Sequence, residues 1–450
     1  MTSPTQIRFG TDGIRGRVDT DVTPAVAHAL GRAAAEVLGV EQVVVGWDTR
    51  ASGRDLVRAF AAGVAAGGAE ARLVGVAPTP AVAFLAAATG AAGCSVTASH
   101  NDSEYNGLKF FDPRGLKLPD ETEAAMAATA NRHLVDGSTD PPLADLAIDA
   151  SLLDAYLTHL GARLAGLDLR GLRIGLDCAH GAATAVAPAL FRRLDLADLV
   201  VVGDEPDGSN INRGVGSTHM GHLATEVVAR GLDVGFSFDG DADRVMAVTD
   251  AGEVLDGDQL LAVLAGDMLE RGVLTDRKVV VTHWSNLGLL RALEAKGIEV
   301  VETDVGDRFV LEVLTRDGLS LGGEQSGHLI LRDLSTTGDG VLAAIELLAV
   351  VVRTGRPLGE LAAAAMQKMP QVTVAIPVAD PREAVRALSG LAETENGRLG
   401  RDGRVVLRAS GTEAVVRVMA EATTLPRAQE AVDRVAVALA RGDGEKVDAP

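Results

Sequence analysis

The stretch LRIGLDCAHGAATAVAPALFRRLDLADLVVV, from Leu172 to Val202, decides the fold class. It opens on an apolar run, Leu172 to Leu176, turns at Gly181, passes through an alanine-rich segment from Ala182 to Leu194, and closes on a second apolar run, Leu199 to Val202. Strand, turn, helix and strand in that order predict a βαβ unit with parallel strands. Outward from it the same alternation recurs. Val43 to Gly46, Leu73 to Val76 and Val279 to Thr282 are short runs of the same kind, set between alanine-rich helical stretches. The chain is therefore predicted to be α/β, with ligands bound at the C-terminal ends of its strands.

At 450 residues the chain is longer than one hydrophobic core usually serves, so it divides into several domains. Polar stretches at Asp136 to Asp145, near Asp250 to Asp258 and around Pro370 mark the divisions, which predicts domains at 1–150, 151–253, 254–369 and 370–450. The last piece differs from the others. Val372 to Val378, a helix from Pro381, Val405 to Leu407 and Val415 to Met419 read as a smaller α+β unit. No stretch is repeated in sequence, yet three α/β segments of similar size leave a diverged repeat open.

Composition excludes several classes of function. Hydrophobic residues make up 47% and charged residues 23% of the chain, values that suit a globular protein. The 62 acidic against 42 basic residues give a formal charge of -20, which repels nucleic acid and anionic membranes. A phosphorylated ligand is repelled too, unless a local cluster of arginine, lysine, metal ion and backbone amides captures it. Cys94 and Cys178 each lie in an apolar run, so no disulfide framework is expected and a reducing cytoplasm fits. MTSPTQIRFG has no basic segment followed by an apolar stretch, which argues against a secretory signal. The longest apolar run, Val341 to Val352, contains Glu346 and is shorter than the roughly 20 residues a membrane span needs. It reads as a core helix.

Four loops hold the chemistry. Asp239-Gly240-Asp241-Ala242-Asp243-Arg244 follows the apolar run Val234 to Phe238, and its alternating carboxylates can share one side. Hard oxygen donors without His or Cys suit Mg²⁺ or Mn²⁺ over zinc. A solvated acidic turn is the plain alternative. An EF-hand loop is excluded, because Arg244 stands where its glycine belongs and Asp250 where its glutamate belongs. Thr97-Ala98-Ser99-His100-Asn101 follows the buried run Gly93 to Val96 and precedes Asn106-Gly107-Leu108-Lys109. It offers a hydroxyl at a strand end, either as a nucleophile or as a helix cap. Ser99 lacks the glycine-flanked elbow of serine hydrolases. Gly322 to His328 places Glu324 and Ser326 between glycines, a pattern suited to sugar hydroxyls or to an exposed hairpin. Arg408-Ala409-Ser410-Gly411-Thr412, with Arg417 beyond it, can cradle a phosphate.

In this order the four loops resemble those of the α-D-phosphohexomutase superfamily, which have a serine loop, a metal loop, a sugar loop and a phosphate loop, one per domain. The resemblance spans nearly the whole chain. Arg8 to Gly16, Ile211 to His219, Asp304 to Arg308, Thr336 to Gly340, and Gln325 in the sugar loop resemble the branch that acts on amino sugars. Two departures occur: Asp102 and Ala414 stand where proline is usual, which predicts looser serine and phosphate loops.

The resemblance implies a four-domain architecture of three similar α/β domains with mixed sheets and a smaller α+β domain. It implies interconversion of glucosamine 6-phosphate and glucosamine 1-phosphate, which feeds UDP-N-acetylglucosamine and cell-wall precursors. Ser99 would be a phosphoserine, and a sugar 1,6-bisphosphate would be both primer and intermediate. One Mg²⁺ would be held by Asp239, Asp241, Asp243 and phosphorylated Ser99. Arg15 and Arg244 would assist the moving phosphoryl group, and Lys109 and His328 would serve as acid and base. Glu324 and Ser326 would read sugar hydroxyls, while Arg408, Ser410, Gly411, Thr412 and Arg417 would anchor the idle phosphate. The partners implied are small sugar phosphates, with no nucleic acid and no membrane, and a homodimer stays open. A phosphoglucomutase or phosphomannomutase shares every catalytic residue and is the nearest alternative. A silent sugar-phosphate sensor or a metal-dependent phosphatase stands further off.

Overall fold

The computed structural model describes residues 6–10, 12–136, 143–145, 147–410 and 414–441. Three of its sheets share one wiring. In the first, Gln42–Trp47 lies parallel to both Glu70–Val76 and Ala92–Val96, and Tyr105–Phe111 runs antiparallel beside Ala92–Val96. In the second, Arg173–Asp177 lies parallel to both Asp198–Val202 and Val234–Phe238, and Val245–Thr249 runs antiparallel beside Val234–Phe238. In the third, Lys278–Thr282 lies parallel to Glu299–Thr303 and Leu321–Gly323, and Leu329–Leu331 runs antiparallel beside Leu321–Gly323. The repeat left open by the sequence is a repeat of topology. Ile14–Arg17 and Val254–Leu255 extend the first two sheets with one further antiparallel strand each.

That wiring decides where the loops fall. In every repeat the third strand ends and the chain reverses into the antiparallel fourth, so the connection lies at the C-terminal end of a central parallel strand. The three connections are 97–104, 239–244 and 324–328, which hold Ser99, the three aspartates, and Glu324 to His328.

The stretch from Ala182 to Leu194 is not one helix. A 3₁₀ turn at Ala182–Ala185 is followed by a five-residue helix, Ala187–Phe191. Pro188 donates no N–H and disfavours helical backbone at Ala187, so the helical ladder cannot run through it. The flanking strands are nonetheless parallel, and the βαβ reading of this unit holds.

Helix Gly340–Thr354 is the predicted core helix, buried from Gly340 through Val350 and capped by Asp339, whose carboxylate accepts from the Leu342 N–H at 2.9 Å. Its Glu346 is 3% exposed and is neutralised by Arg163 at 2.7 Å. This helix lies in a continuous core that joins the three sheets, from Val44 and Leu85 through Leu160, Phe236 and Leu261 to Leu348. The last domain has its own core of Val405, Val416, Val418, Val432 and Val435. There Val415–Ala422 lies antiparallel between Gln371–Pro377 and Gly403–Ala409, backed by helices Pro381–Leu399 and Leu425–Arg441. Among the described residues no helix is long and apolar enough to cross a membrane, and both cysteines are buried and unpaired.

Candidate active site

Strand Val234–Phe238 is buried throughout and delivers Asp239 to the sheet end, where the next residues bend back through Ala242 at φ +55°. The bend gathers Asp239, Asp241 and Asp243, all buried, with one carboxylate oxygen of each within 4.8 Å of the others. Burial first, and then the charges of Asp243 and Asp241, push Asp239 up to about 8. Such a cluster calls for a cation. Asp241 Oδ1 and Asp243 Oδ1 are buried without a hydrogen-bond partner, and the donor set is all oxygen, so these residues fit a hard divalent ion.

The serine loop abuts this cluster. Ser99 is 1% exposed and its Oγ donates to Asp239 Oδ2 at 2.6 Å. Glycine at position 240 is what allows the two loops to touch, since a Cβ there would lie 2.4 Å from the Ser99 carbonyl oxygen. Thr79 also reaches across from the first domain, donating from its hydroxyl to Asp241 Oδ2 at 2.6 Å.

Lys109 projects from strand Tyr105–Phe111 to the other side of the cluster, 2.9 Å from Asp241, 2.8 Å from Asp243 and 2.8 Å from Asp12. Burial opposes its charge, but Asp12, Asp241 and Asp243 outweigh burial and hold it well above the usual lysine range. It is a firm cation. Lys117 extends the chain of charge, pairing with Asp12 at 2.5 Å and with Asp307. His328 is buried with Nδ1 3.7 Å from Asp243 and Nε2 3.7 Å from Asp307. Burial disfavours its charge, yet the nearby Asp243, with Asp307 and Glu324, raises it above the ordinary histidine value. Its Nε2 also accepts the Gly338 N–H at 3.1 Å, which favours the neutral ring with the proton on Nδ1.

A cleft of about 910 Å³ opens over this centre and draws its walls from all four domains. Of the residues expected from the sequence, Arg15, Arg244, Glu324, Ser326, Arg408 and Arg417 line it directly. Ser99, Lys109, His328 and the three aspartates are buried beside it. Glu324 accepts from the Gly306 N–H at 3.0 Å. Arg244 lies 3.8 Å from Asp243, and Arg15 donates to Asn101 Oδ1 at 3.3 Å. Arg408 and Arg417 face each other across two antiparallel strands. Burial and the neighbouring Arg417 lower Arg408. Ser410 closes the strand pair through its N–H to the Val415 carbonyl at 3.0 Å, while Gly411 and Thr412 lie outside the described residues.

Sequence reasoning assigned no role to Asp12, Lys117, Asp307, Arg50 or Asn212. Asp12, Asp307 and Asn212 sit within segments that carried the resemblance, but nothing local marks Lys117 or Arg50. Their importance arises from partners more than 45 positions away. Asp102, which stands where proline is usual, has its carbonyl bound by Arg50.

Known proteins are similar along the whole chain. Residues 6–134, 154–252 and 256–369 match phosphoglucomutase/phosphomannomutase α/β/α domains I, II and III, and residues 374–438 match the C-terminal domain of that group. A phosphoglucosamine mutase of Frankia casuarinae is 48% identical over 450 residues, spanning 95% of this chain and 97% of its own length. One from Rubrobacter xylanophilus is 49% identical, spanning 98% of each. A solved phosphoglucomutase/phosphomannomutase family protein of Burkholderia thailandensis superposes with a TM-score of 0.80 at 26% identity, over 96% of this chain and 98% of its own. The N-acetylphosphoglucosamine mutase of Aspergillus fumigatus, solved with GlcNAc-6P and magnesium, shares the fold, with a TM-score of 0.71 at 21% identity over 97% of this chain and 96% of its own. The domain order, the loop chemistry and this coverage agree: the chain belongs to the phosphoglucosamine mutase family, within the phosphoglucomutase/phosphomannomutase group.

Proposed function

We propose that the chain interconverts glucosamine 6-phosphate and glucosamine 1-phosphate by way of a phosphoserine at Ser99 and glucosamine 1,6-bisphosphate. The observation that carries this reading is the Ser99 hydroxyl, directed at a buried three-aspartate cluster beside a cleft with paired arginines. Mg²⁺ would be held by Asp239, Asp241, Asp243 and the Ser99 phosphate, where it would neutralise charge on the moving phosphoryl group.

In the forward half-reaction the Ser99 O–P bond breaks, a sugar hydroxyl forms a new bond to the same phosphorus, and the proton of that hydroxyl passes to a base. His328, buried beside the cluster with Nδ1 near Asp243, suits the base. Lys109, held cationic, suits the acid that protonates or electrostatically supports the departing oxygen. Arg15 and Arg244, which line the cleft, would meet the phosphoryl oxygens. After the bisphosphate turns over, its other phosphate returns to Ser99 by the same steps reversed. Glu324 and Ser326 read mid-ring hydroxyls in either orientation, and Arg408, Ser410, Gly411, Thr412 and Arg417 hold the idle phosphate. The divisions proposed at 150, 253 and 369 leave each loop in one domain, although the second cut separates Val254–Leu255 from the sheet it extends. Two buried free thiols accord with a cytoplasmic location.

Intact-mass measurement before and after incubation with glucosamine 1,6-bisphosphate tests the reading. One phosphate should appear on the wild-type chain and none on Ser99→Ala, whose mutase activity should vanish while its melt changes by about one hydrogen bond, ~1 kcal/mol. Release of inorganic phosphate without isomerisation would instead identify a phosphatase.

A further inference from the structure

Ser99 has φ +52°, a left-handed backbone that a side-chain-bearing residue keeps only when its surroundings enforce it. The enforcing groups come from outside the serine loop. Arg50, its side chain 0% exposed, uses all five of its N–H donors there. Nε donates to Asp48 Oδ2 at 2.9 Å, Nη1 to the carbonyls of Asp102 and, at 3.0 Å, Tyr105, and Nη2 to those of Ser99 at 2.9 Å and Asn101 at 2.7 Å. Asn212, from the second domain, donates through Nδ2 to the same Ser99 and Asn101 carbonyls, at 2.9 Å and 3.0 Å. It is buried at φ +61°, and its own N–H is bound to the Ala179 carbonyl at 2.9 Å.

Neither side chain lines the cleft, and neither bonds the Ser99 hydroxyl. Both act on the carbonyl behind it. We propose that Arg50 and Asn212 are positioning residues, a clamp built from two domains that holds Ser99 in its strained backbone so that Oγ stays on the metal loop. This rests on Ser99 as the phosphoryl carrier. The guanidinium is the side chain that meets these demands, because a lysine ammonium offers three donors from one point and cannot span four carbonyls and a carboxylate. With the clamp weakened, residue 99 relaxes toward ordinary backbone and its hydroxyl leaves Asp239. Misplacement on the scale of 1 Å costs about a hundredfold in rate.

The test uses the full-length chain as Arg50→Lys and as Asn212→Gly, which deletes the amide without adding strain at positive φ. Turnover and KM for glucosamine 1-phosphate are measured, together with the ³¹P resonance of phosphorylated Ser99, well below the melt. The clamp predicts a kcat lower by about tenfold to a hundredfold, KM within about threefold, and a shifted or broadened phosphoserine resonance in both variants. Cooperatively melting variants with wild-type kcat and an unchanged resonance would overturn it. Should Arg50→Lys fail to fold, Asn212→Gly decides alone, since Arg50 and its ion pair remain. If wild-type protein takes no phosphate on Ser99 from the bisphosphate, the functional reading falls and the clamp with it. If wild type is phosphorylated and the variants match it, only the clamp falls.

Discussion

Ser99 Oγ and Asp239 Oδ2 stand 2.6 Å apart although 140 positions separate them in the chain. That bond spans the junction of the first two domains and joins the proposed phosphoryl acceptor to the acidic cluster.

The cluster should make stability depend on metal. In Asp241→Asn one of the three anionic ligands is lost, so the rise in melting temperature on adding Mg²⁺ should shrink, and turnover should fall with it. Removing metal with a chelator should inactivate the wild type, and Mg²⁺ should restore it. The melt of the chelated variant should change little, because the lost Lys109 contact is offset by weaker repulsion among the remaining carboxylates. Melts in Mg²⁺ and in chelator, run side by side, provide the check; an undiminished Mg²⁺ response in the variant contradicts the assignment.

Gly240→Ala should damage the site by crowding the Ser99 carbonyl and the Asn212 amide behind it. Its Cβ would lie 2.4 Å from the Ser99 carbonyl oxygen, and no side chain can swing aside to make room. Overpacking of this kind costs about 1–3 kcal/mol and should pull the serine loop off the aspartates, removing most activity. Gly221→Ala is the control, since nothing lies within 4 Å of its Cβ, and it should leave both melt and rate unchanged.

Asp258 predicts a pH effect away from the chemistry. Burial, aided by Asp256 and Glu421, pushes it up to about 7, against the opposing bonds from the Asn286 N–H and Ser285, and its Oδ1 has no hydrogen-bond partner. Because the folded-state value is raised, the stability it contributes is complete below the unfolded carboxylate range and is lost as pH rises toward about 7. Asp258→Asn imitates the protonated form. Its melting temperature should exceed that of wild type at about pH 8, with the gap much narrower at about pH 5 and closing only below the unfolded carboxylate range. A constant gap between those pH values would contradict the burial argument.

Glucosamine phosphates should exceed glucose phosphates in kcat/KM by about tenfold or more, with mannose phosphates weakest. An acceptor left unpaired when the 2-amino group is missing costs about 1–3 kcal/mol. The motive is Gln325, which lines the cleft and donates to Gln371 Oε1 at 3.2 Å where the third and fourth domains meet. Coupled assays at equal subsaturating concentrations decide it, and faster turnover of glucose 1-phosphate would refute the amino-sugar preference.

Much of this protein was readable from local pattern. The apolar runs at Val43, Leu73, Leu199 and Val279 are strands, and Val341 to Val352 is a buried helix, because side-chain periodicity and β-branched content are properties of neighbours in sequence. The loops that hold Ser99 and Asp239 to Asp243 were visible for the same reason, each following an apolar run directly, whereas Arg408, read as opening a loop, lies within strand Gly403–Ala409. The helix expected over Ala182 to Leu194 failed at Pro188, where one backbone restriction outweighed the alanine propensity around it. What only the tertiary structure decided is which distant groups meet. The shared sheet topology sets three connections facing one cleft. It thereby joins Lys109 to Asp12, Asp241 and Asp243, Lys117 to Asp307, and Arg50 and Asn212 to the carbonyl of Ser99. A buried charge or donor must find its partner wherever the fold places one, and no periodicity along the chain encodes that position.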